Sequence, residues 1–301
     1  MRVAVTGANG RLGRALIAAL ADAPFTGPAG PIAWDRAAFD LDAPETATAL
    51  IERDRPEVVV HAAAWSDVDG CALDPALARR RNGLATGVLA EACAAASIDL
   101  MAISTNEIFD GLREDGRGYE PGDLPAPGNP YGASKLEGEQ LATEAYRRAG
   151  SGSLGIARTA WLFGAPGRDF PSRILEAAER ASAAGEPLRA VADEWGTPTF
   201  VNDLAEAIVE LLAEDAVAGI HHLVNGGFAS RADWARDVVT RAAVPVETVD
   251  VPSTTWQRPS RPPPWGVLAP TALPSGEPMR PWPDAMADYA PALLRSVRAR
   301  A

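Results

Sequence analysis

A short apolar strand that runs directly into spaced glycines limits the folds open to this chain more than any other feature. Arg2-Val3-Ala4-Val5-Thr6 leads into Gly7-Ala8-Asn9-Gly10-Arg11-Leu12-Gly13, and an amphipathic stretch from Arg11 to Leu20 follows. A Gly-x-x-Gly-x-x-Gly turn between a strand and a helix opens a βαβ unit. Its glycines permit the tight turn and let the backbone approach a pyrophosphate. The helix N-terminus adds oriented N–H donors and the positive end of its dipole. The turn predicts a dinucleotide cradle containing Gly7, Asn9, Gly10, Arg11, Leu12 and Gly13, with a plain Gly-rich turn as the alternative.

The rest of the chain extends the pattern. Strands are expected at Val3–Thr6, Ile32–Trp34, Val58–His61, Leu100–Ser104 and Leu154–Arg158. Helices are expected between them, near Arg11–Leu20, Pro44–Arg53, Pro75–Ala95 and Pro130–Arg148. Alternation of this kind predicts an α/β fold, a Rossmann-type doubly wound parallel sheet. After about residue 160 the pattern loosens. Helices are expected at Pro171–Ala183, Asp203–Ala213 and Arg231–Ala242, the last capped by Ser230, and a strand at Gly219–Val224. The tract from Pro252 to Pro283, rich in proline and tryptophan, reads as ordered loop. The expected division is residues 1–160 for the nucleotide and 161–301 mainly for a smaller α/β substrate lobe. The chain is expected to cross back to the sheet near 186–225.

A net charge of -12 with a pI near 4.8 argues against nucleic acid and anionic membrane as partners. No apolar run approaches the roughly 18 residues a membrane span needs, and the opening strand is too short for a signal peptide. Two cysteines, Cys71 and Cys93, give neither a disulfide framework nor metal spacing, so a reducing, cytoplasmic setting is expected.

Of 28 basic residues only Lys135 is a lysine, and it stands four residues after Tyr131 in Asn129-Pro130-Tyr131-Gly132-Ala133-Ser134-Lys135. Asn129 as N-cap and Pro130 at the first position start a helix that puts Tyr131 and Lys135 on one face. A compact ammonium one turn from a phenol is expected to favour the phenolate and lower the tyrosine pKa, which suits proton transfer to a carbonyl oxygen. An inert i,i+4 surface pair is the alternative.

The other candidates stand at strand ends. Asp35 and Arg36 follow the second strand. The acid suits the ribose hydroxyls of NAD and the arginine a 2′-phosphate of NADP, so both remain open. Ala62, Ala63 and Ala64 after the third strand leave room for a cofactor. His61 reads as a packed strand-end residue, and His221 and His222 as structural. Thr105 ends the fourth strand, facing the same crevice as Tyr131, where its hydroxyl suits a substrate carbonyl. No Ser/His/Asp order and no carboxylate–histidine cluster supports a hydrolase or a metal site.

In this order the motifs resemble the extended short-chain dehydrogenase/reductases, and within them the dTDP-4-dehydrorhamnose reductase family. The resemblance spans nearly the whole chain. It rests on the glycine turn, Asp40-Leu41, Ala62-Ala63-Ala64 with Asp67-Val68-Asp69, and Ser104-Thr105 with Phe109-Asp110-Gly111. It continues through Tyr131-Gly132-Ala133-Ser134-Lys135, Arg158-Thr159-Ala160-Trp161-Leu162-Phe163-Gly164, Gly196-Thr197-Pro198-Thr199, Asp203-Leu204-Ala205 and the late Arg-Pro tract.

The resemblance implies an oxidoreductase using NADPH or NADH to reduce the 4-keto group of a nucleotide-activated 6-deoxysugar. Thr105, Tyr131 and Lys135 would be catalytic. Gly10, Arg11, Leu12, Asp40, Leu41 and Ala62 to Ala64 would line the cofactor, and Thr105, Asn106 and Trp161 would touch the sugar nucleotide. Trp161 reads equally as a core residue. Arg158 and Arg261 are candidates for the diphosphate or ordinary surface arginines. Asn82 reads as a helix-surface residue, with support of the catalytic network as the alternative. A homodimer is implied.

Two departures bear on the substrate. The family's reductases usually carry Asp-Tyr after the strand-end threonine, and this chain has Asn106-Glu107. Related 4,6-dehydratases carry Thr-Asp-Glu there, and an amide at Asn106 cannot supply the protonating acid, so dehydration is not expected. Some members bind a metal through glutamates, one of them early in the first helix. Ala15 stands at that point, so no metal is expected. Two other readings stay open: reduction of another ketone in secondary metabolism, and a non-catalytic dinucleotide-binding subunit like that partnering methionine adenosyltransferase.

Overall fold

The computed structural model describes residues 1–299. In its first half, strands and helices alternate as β1 (Val3–Thr6), α1 (Arg11–Asp22), β2 (Ile32–Trp34), α2 (Ala47–Asp54), β3 (Val58–His61), α3 (Val68–Leu73), α4 (Pro75–Ala78), α5 (Ala85–Ala95), β4 (Asp99–Thr105), α6 (Pro130–Ala149) and β5 (Leu154–Thr159). The second half contains β6 (Leu162–Phe163), α7 (Phe170–Ala184), β7 (Leu188–Val191), β8 (Trp195–Gly196), β9 (Thr199–Phe200), α8 (Val201–Ala213), β10 (Gly219–His222), β11 (Ala229–Ser230), α9 (Arg231–Ala242), β12 (Thr248–Val251), β13 (Trp265–Gly266) and α10 (Trp282–Arg298).

Six parallel strands in the order β10-β5-β4-β3-β1-β2 form the main sheet. Both of its faces are covered, which is why β1 and β3 read as unbroken apolar runs rather than alternating ones. Val3, Val5, Val58 and Val60 pack with Leu16 and Leu20 of α1 and Leu204, Ile208 and Leu211 of α8. Ala4 and Val59 pack on the other face with Leu89 and Cys93 of α5 and Ala142 and Tyr146 of α6. Strand β10 and helix α8, from the second half, thus complete the sheet and its cover.

The remaining strands form small sheets. One is the three-stranded β11-β8-β13 and another the parallel pair β12-β7. An aromatic cluster that includes Phe163, Phe200, Trp234, Trp282 and Tyr289 binds α9 and α10 to this lobe.

Three expectations need correction. The helix expected over Pro75–Ala95 is broken, because Arg79–Leu84 winds as a π-helix between α4 and α5. The wider turn buries Asn82, whose side chain accepts from the Trp65 N–H at 2.8 Å and donates to the Trp65 carbonyl at 3.0 Å. Asn82 is therefore not a helix-surface residue. The tract Pro252–Pro283 is mostly loop, but β13 lies within it and Trp282 and Pro283 already belong to α10. That helix escapes the sequence pattern because Pro283 and Pro291 punctuate it; the first sits in its opening turn, where a missing N–H is harmless.

Candidate active site

Strand order reverses between β1 and β3, and ligands of such sheets bind beyond the strand ends at that point. The crevice there has two adjoining parts. One, about 240 Å³, is lined by Gly7, Asn9, Gly10, Asp40, Leu41 and Ala62 to Ala64, with Arg36 and Arg81 beside them. The other, about 410 Å³, runs from Arg11, Leu12 and Gly13 to Thr105, Asn106, Tyr131, Lys135 and Trp161. Gly7, Gly10, Ala62 and Ala64 border both. The sequence candidates converge here, apart from Asp35, Arg158 and Arg261. The Asp35 carboxylate accepts from Asn9 Nδ2 at 3.3 Å and from the Ala37 and Ala38 N–H groups at 3.0 and 3.1 Å, so it braces the turn while Arg36 faces the cavity.

The turn is shaped for close approach. Gly7 has φ 63°, and a Cβ on it would lie 2.9 Å from the Ala63 backbone. A Cβ on Gly13 would run into the Gly7 carbonyl oxygen. Among the described residues, the buried Nε of Arg11 has no hydrogen-bond partner. A close-packed glycine turn at a helix N-terminus beside an unpaired guanidinium nitrogen fits a dinucleotide's diphosphate. The strand-end alanines are held by a hydroxyl chain. Thr6 Oγ1 accepts from the Ala63 N–H at 3.1 Å and pairs with His61 Nδ1 at 2.8 Å, and Thr86 meets His61 Nε2 at 3.2 Å. Burial, with the Lys135 charge, pushes His61 down to about 3, so it stays neutral and structural.

Tyr131 reaches Thr105 because α6 starts hard against the loop after β4. The Asn129 side chain caps the helix by accepting from the Gly132 N–H at 2.9 Å, and its Nδ2 donates to the Glu107 carboxylate at 2.6 Å. A Cβ at Gly132 would collide with the Glu107 carbonyl, so a larger residue would push Tyr131 out of the crevice. Tyr131 and Thr105 line the same part of the crevice.

The expected lowering of the tyrosine pKa is not what the surroundings produce. Burial raises it and the Glu107 carboxylate adds to the rise, while the Thr105 hydrogen bond works weakly the other way. Tyr131 is held as the neutral phenol. Lys135 is also buried, which pulls its ammonium down to about 8 against the opposing pull of Glu139. Burial raises Glu107 as well.

Other side chains differ from expectation. Arg158 is buried in an ion pair with Glu139 at 2.8 Å and donates to the Pro121 carbonyl at 3.1 Å, so it is neither a surface arginine nor free for a diphosphate. Arg261 is exposed and lines neither part of the crevice. Asn106 lines the crevice, and its Nδ2 donates to the Gly266 carbonyl at 2.9 Å. Trp161 serves both readings. Its backbone is left-handed at φ 45°, it stacks on Trp234 with centroids 5.8 Å apart, and it borders the cleft. Arg231 was missed. It follows the Ser230 cap of α9, and the only sequence signal at that position was a helix start. In the fold its guanidinium carbon lies 3.6 Å from the centre of the Trp161 ring and it lines the part of the crevice that holds Tyr131 and Lys135.

The sheet and crevice define an oxidoreductase of the extended short-chain dehydrogenase/reductase type. The family model described as the RmlD substrate binding domain matches residues 1–294, and the chain belongs to that family. The chain is 34% identical over 289 residues to a dTDP-4-dehydrorhamnose reductase of Burkholderia thailandensis, covering 91% of this chain and 92% of the relative. A crystal structure of a dTDP-4-dehydrorhamnose reductase from Clostridium acetobutylicum superposes with a TM-score of 0.87 at 27% identity, covering 97% of this chain and 99% of that one. The Bacillus anthracis dTDP-4-dehydrorhamnose reductase, solved in complex with NADP, gives 0.83 at 28% identity over 96% and 98% of the two chains.

Proposed function

We propose that this protein is an NAD(P)H-dependent reductase of the 4-keto group of a nucleotide-activated 6-deoxysugar, of the dTDP-4-dehydrorhamnose reductase type. The observation that carries the reading is the meeting of Thr105, Tyr131 and Lys135 at one end of a crevice whose other end fits a dinucleotide. The glycine turn, Arg11, Asp40, Leu41 and Ala62 to Ala64 would hold the cofactor, and Arg36 its adenosine end. Residues 1–160, completed by α8 and β10, form the cofactor half, and most of the remainder forms the substrate half. A reducing, cytoplasmic location accords with Cys71 and Cys93 as buried free thiols.

A bound nicotinamide would supply a hydride to the keto carbon. The protein's part is to take charge off the oxygen. Tyr131, kept neutral by its burial, gives its proton to the developing alkoxide. Thr105 donates to the same oxygen, and that bond strengthens as negative charge grows. The Lys135 ammonium then stabilises the phenolate left on Tyr131. The ammonium matters after the transfer rather than before it, so a high resting tyrosine pKa agrees with reduction.

The test mixes the protein with dTDP-4-keto-6-deoxyglucose, with and without a 3,5-epimerase, and follows NADH and NADPH absorbance separately. Oxidation that requires the epimerase is expected. Oxidation without it would assign a different deoxysugar, and no oxidation by protein that binds the cofactor would overturn the reductase reading.

A further inference from the structure

Arg231 is an unusual first residue for a helix. A cation there meets the positive end of the α9 dipole, which disfavours it. Its backbone N–H donates to the Glu194 carbonyl at 3.1 Å, which fixes the helix start beside β8. Its guanidinium lies 3.6 Å from the centre of the Trp161 ring and 5.0 Å from that of Phe170. The nearest carboxylate, Glu194, is 3.8 Å from Nε, too far for a hydrogen bond. Among the described residues the guanidinium makes no hydrogen bond. A five-donor fork is thus clamped by aromatic faces, half-buried and left without a hydrogen-bond acceptor, in the cavity that Tyr131 also lines.

The small sheet behind it is built to make this room. Gly196 of β8 and Gly266 of β13 pair side by side. A Cβ on the first would strike the Trp161 ring, and one on the second the Asn106 amide. The large side chains of these strands, Trp195 and Trp265, precede those glycines and so point to the opposite face.

Resting on the keto-sugar reading above, we infer that Arg231 is the specificity residue of the sugar subsite, donating paired N–H bonds to the vicinal 2- and 3-hydroxyls of the hexose. The planar fork matches two neighbouring oxygens. Neutral hydroxyls suit the surroundings better than a diphosphate does, because Glu194 and Glu107 both act on this guanidinium and would repel a dianion.

The experiment compares the wild type, Arg231→Lys and Arg231→Met on two nucleotide-linked substrates, a 4-keto-6-deoxyhexose and its 2-deoxy counterpart. NADPH binding, followed by fluorescence, serves as the folding control. The wild type is expected to favour the 2-hydroxylated sugar by about 10- to 100-fold in kcat/KM. Arg231→Met should lose that much on the hydroxylated sugar, mostly through KM, and little on the deoxy sugar. Arg231→Lys, which keeps a charge near Glu194 but not the fork, should recover only part. Equal losses on both sugars, or no loss on either, would overturn the inference. A wild type that reduces neither sugar while binding NADPH would instead overturn the keto-sugar reading, and the inference with it.

Discussion

Lys135 and Glu139 lie one turn apart on the same buried face of α6, and the carboxylate already belongs to Arg158. Glu139 accepts from Arg158 Nη2 at 2.8 Å and from Arg158 Nε at 3.2 and 3.3 Å, and also from Ser104 Oγ. It therefore offers Lys135 part of a counter-charge. The lysine remains a buried ammonium whose proton is easily lost, in the place where the mechanism needs it charged.

This has opposite effects on activity and stability. The Lys135 ammonium is held near 8, so kcat should fall as pH rises through that value, with Tyr131 remaining protonated throughout. Between about 8 and 10.5 the unfolded chain binds the proton that the folded chain has lost, so stability contributed at this site rises with pH across that window. Below it, the folded protein carries a cost of roughly 3 kcal/mol for the buried charge. Lys135→Met should be inactive yet resist urea better than the wild type at pH 7, with the gain fading between about pH 8 and 10.5 and gone above it. A variant that unfolds earlier at pH 7 would contradict this account.

Tyr131→Phe keeps the ring that fills the crevice and removes the proton. Turnover should drop by about 100-fold or more. NADPH affinity, measured by fluorescence titration, should stay within about twofold. Near-normal turnover would take Tyr131 out of the mechanism.

Removing Arg158 strands Glu139 in the core. Arg158→Met should cost about 3–5 kcal/mol. Pairing it with Glu139→Gln should recover a good part, because no uncompensated charge remains. A double-mutant cycle in urea measures the coupling, and simple additivity would mean that the two side chains do not depend on each other.

At the far end of the crevice, Arg36 is exposed and borders the cavity, while Asp35 is turned toward Asn9 and its own loop. Arg36→Ala should raise the KM for NADPH at least tenfold more than that for NADH. Equal effects would leave Asp35 as the better guide to the cofactor.

The nucleotide half was readable because its signals are local. A glycine turn, apolar runs and an Asn-Pro helix start each act over a few residues, and the strands at Val3–Thr6, Ile32–Trp34 and Val58–His61 appear as read. Tyr131 and Lys135 share a face for the same reason. What escaped depends on distant partners. Asn82 is buried because the backbone at Trp65 needs it, and Arg158 because Glu139 lies across from it on α6. Arg231 looks like any polar residue after a cap until Trp161 is brought beneath it. The Tyr131 shift runs against the direction expected from Lys135 because burial, which no local sequence pattern reports, is its largest cause.

The hydrogen bond from Asn106 to the Gly266 carbonyl ties together residues 160 positions apart. It joins the end of β4, where the reacting carbonyl is expected, to a strand in the last fifth of the chain. During synthesis on the ribosome, the glycine turn and its neighbouring strands emerge early and have their partners at hand. The part of the crevice beside Thr105 and Asn106 has no such independence. Nascent chains halted short of residue 266 would carry a cofactor cradle beside an unfinished substrate pocket, so competence to bind NADPH should precede competence to reduce anything.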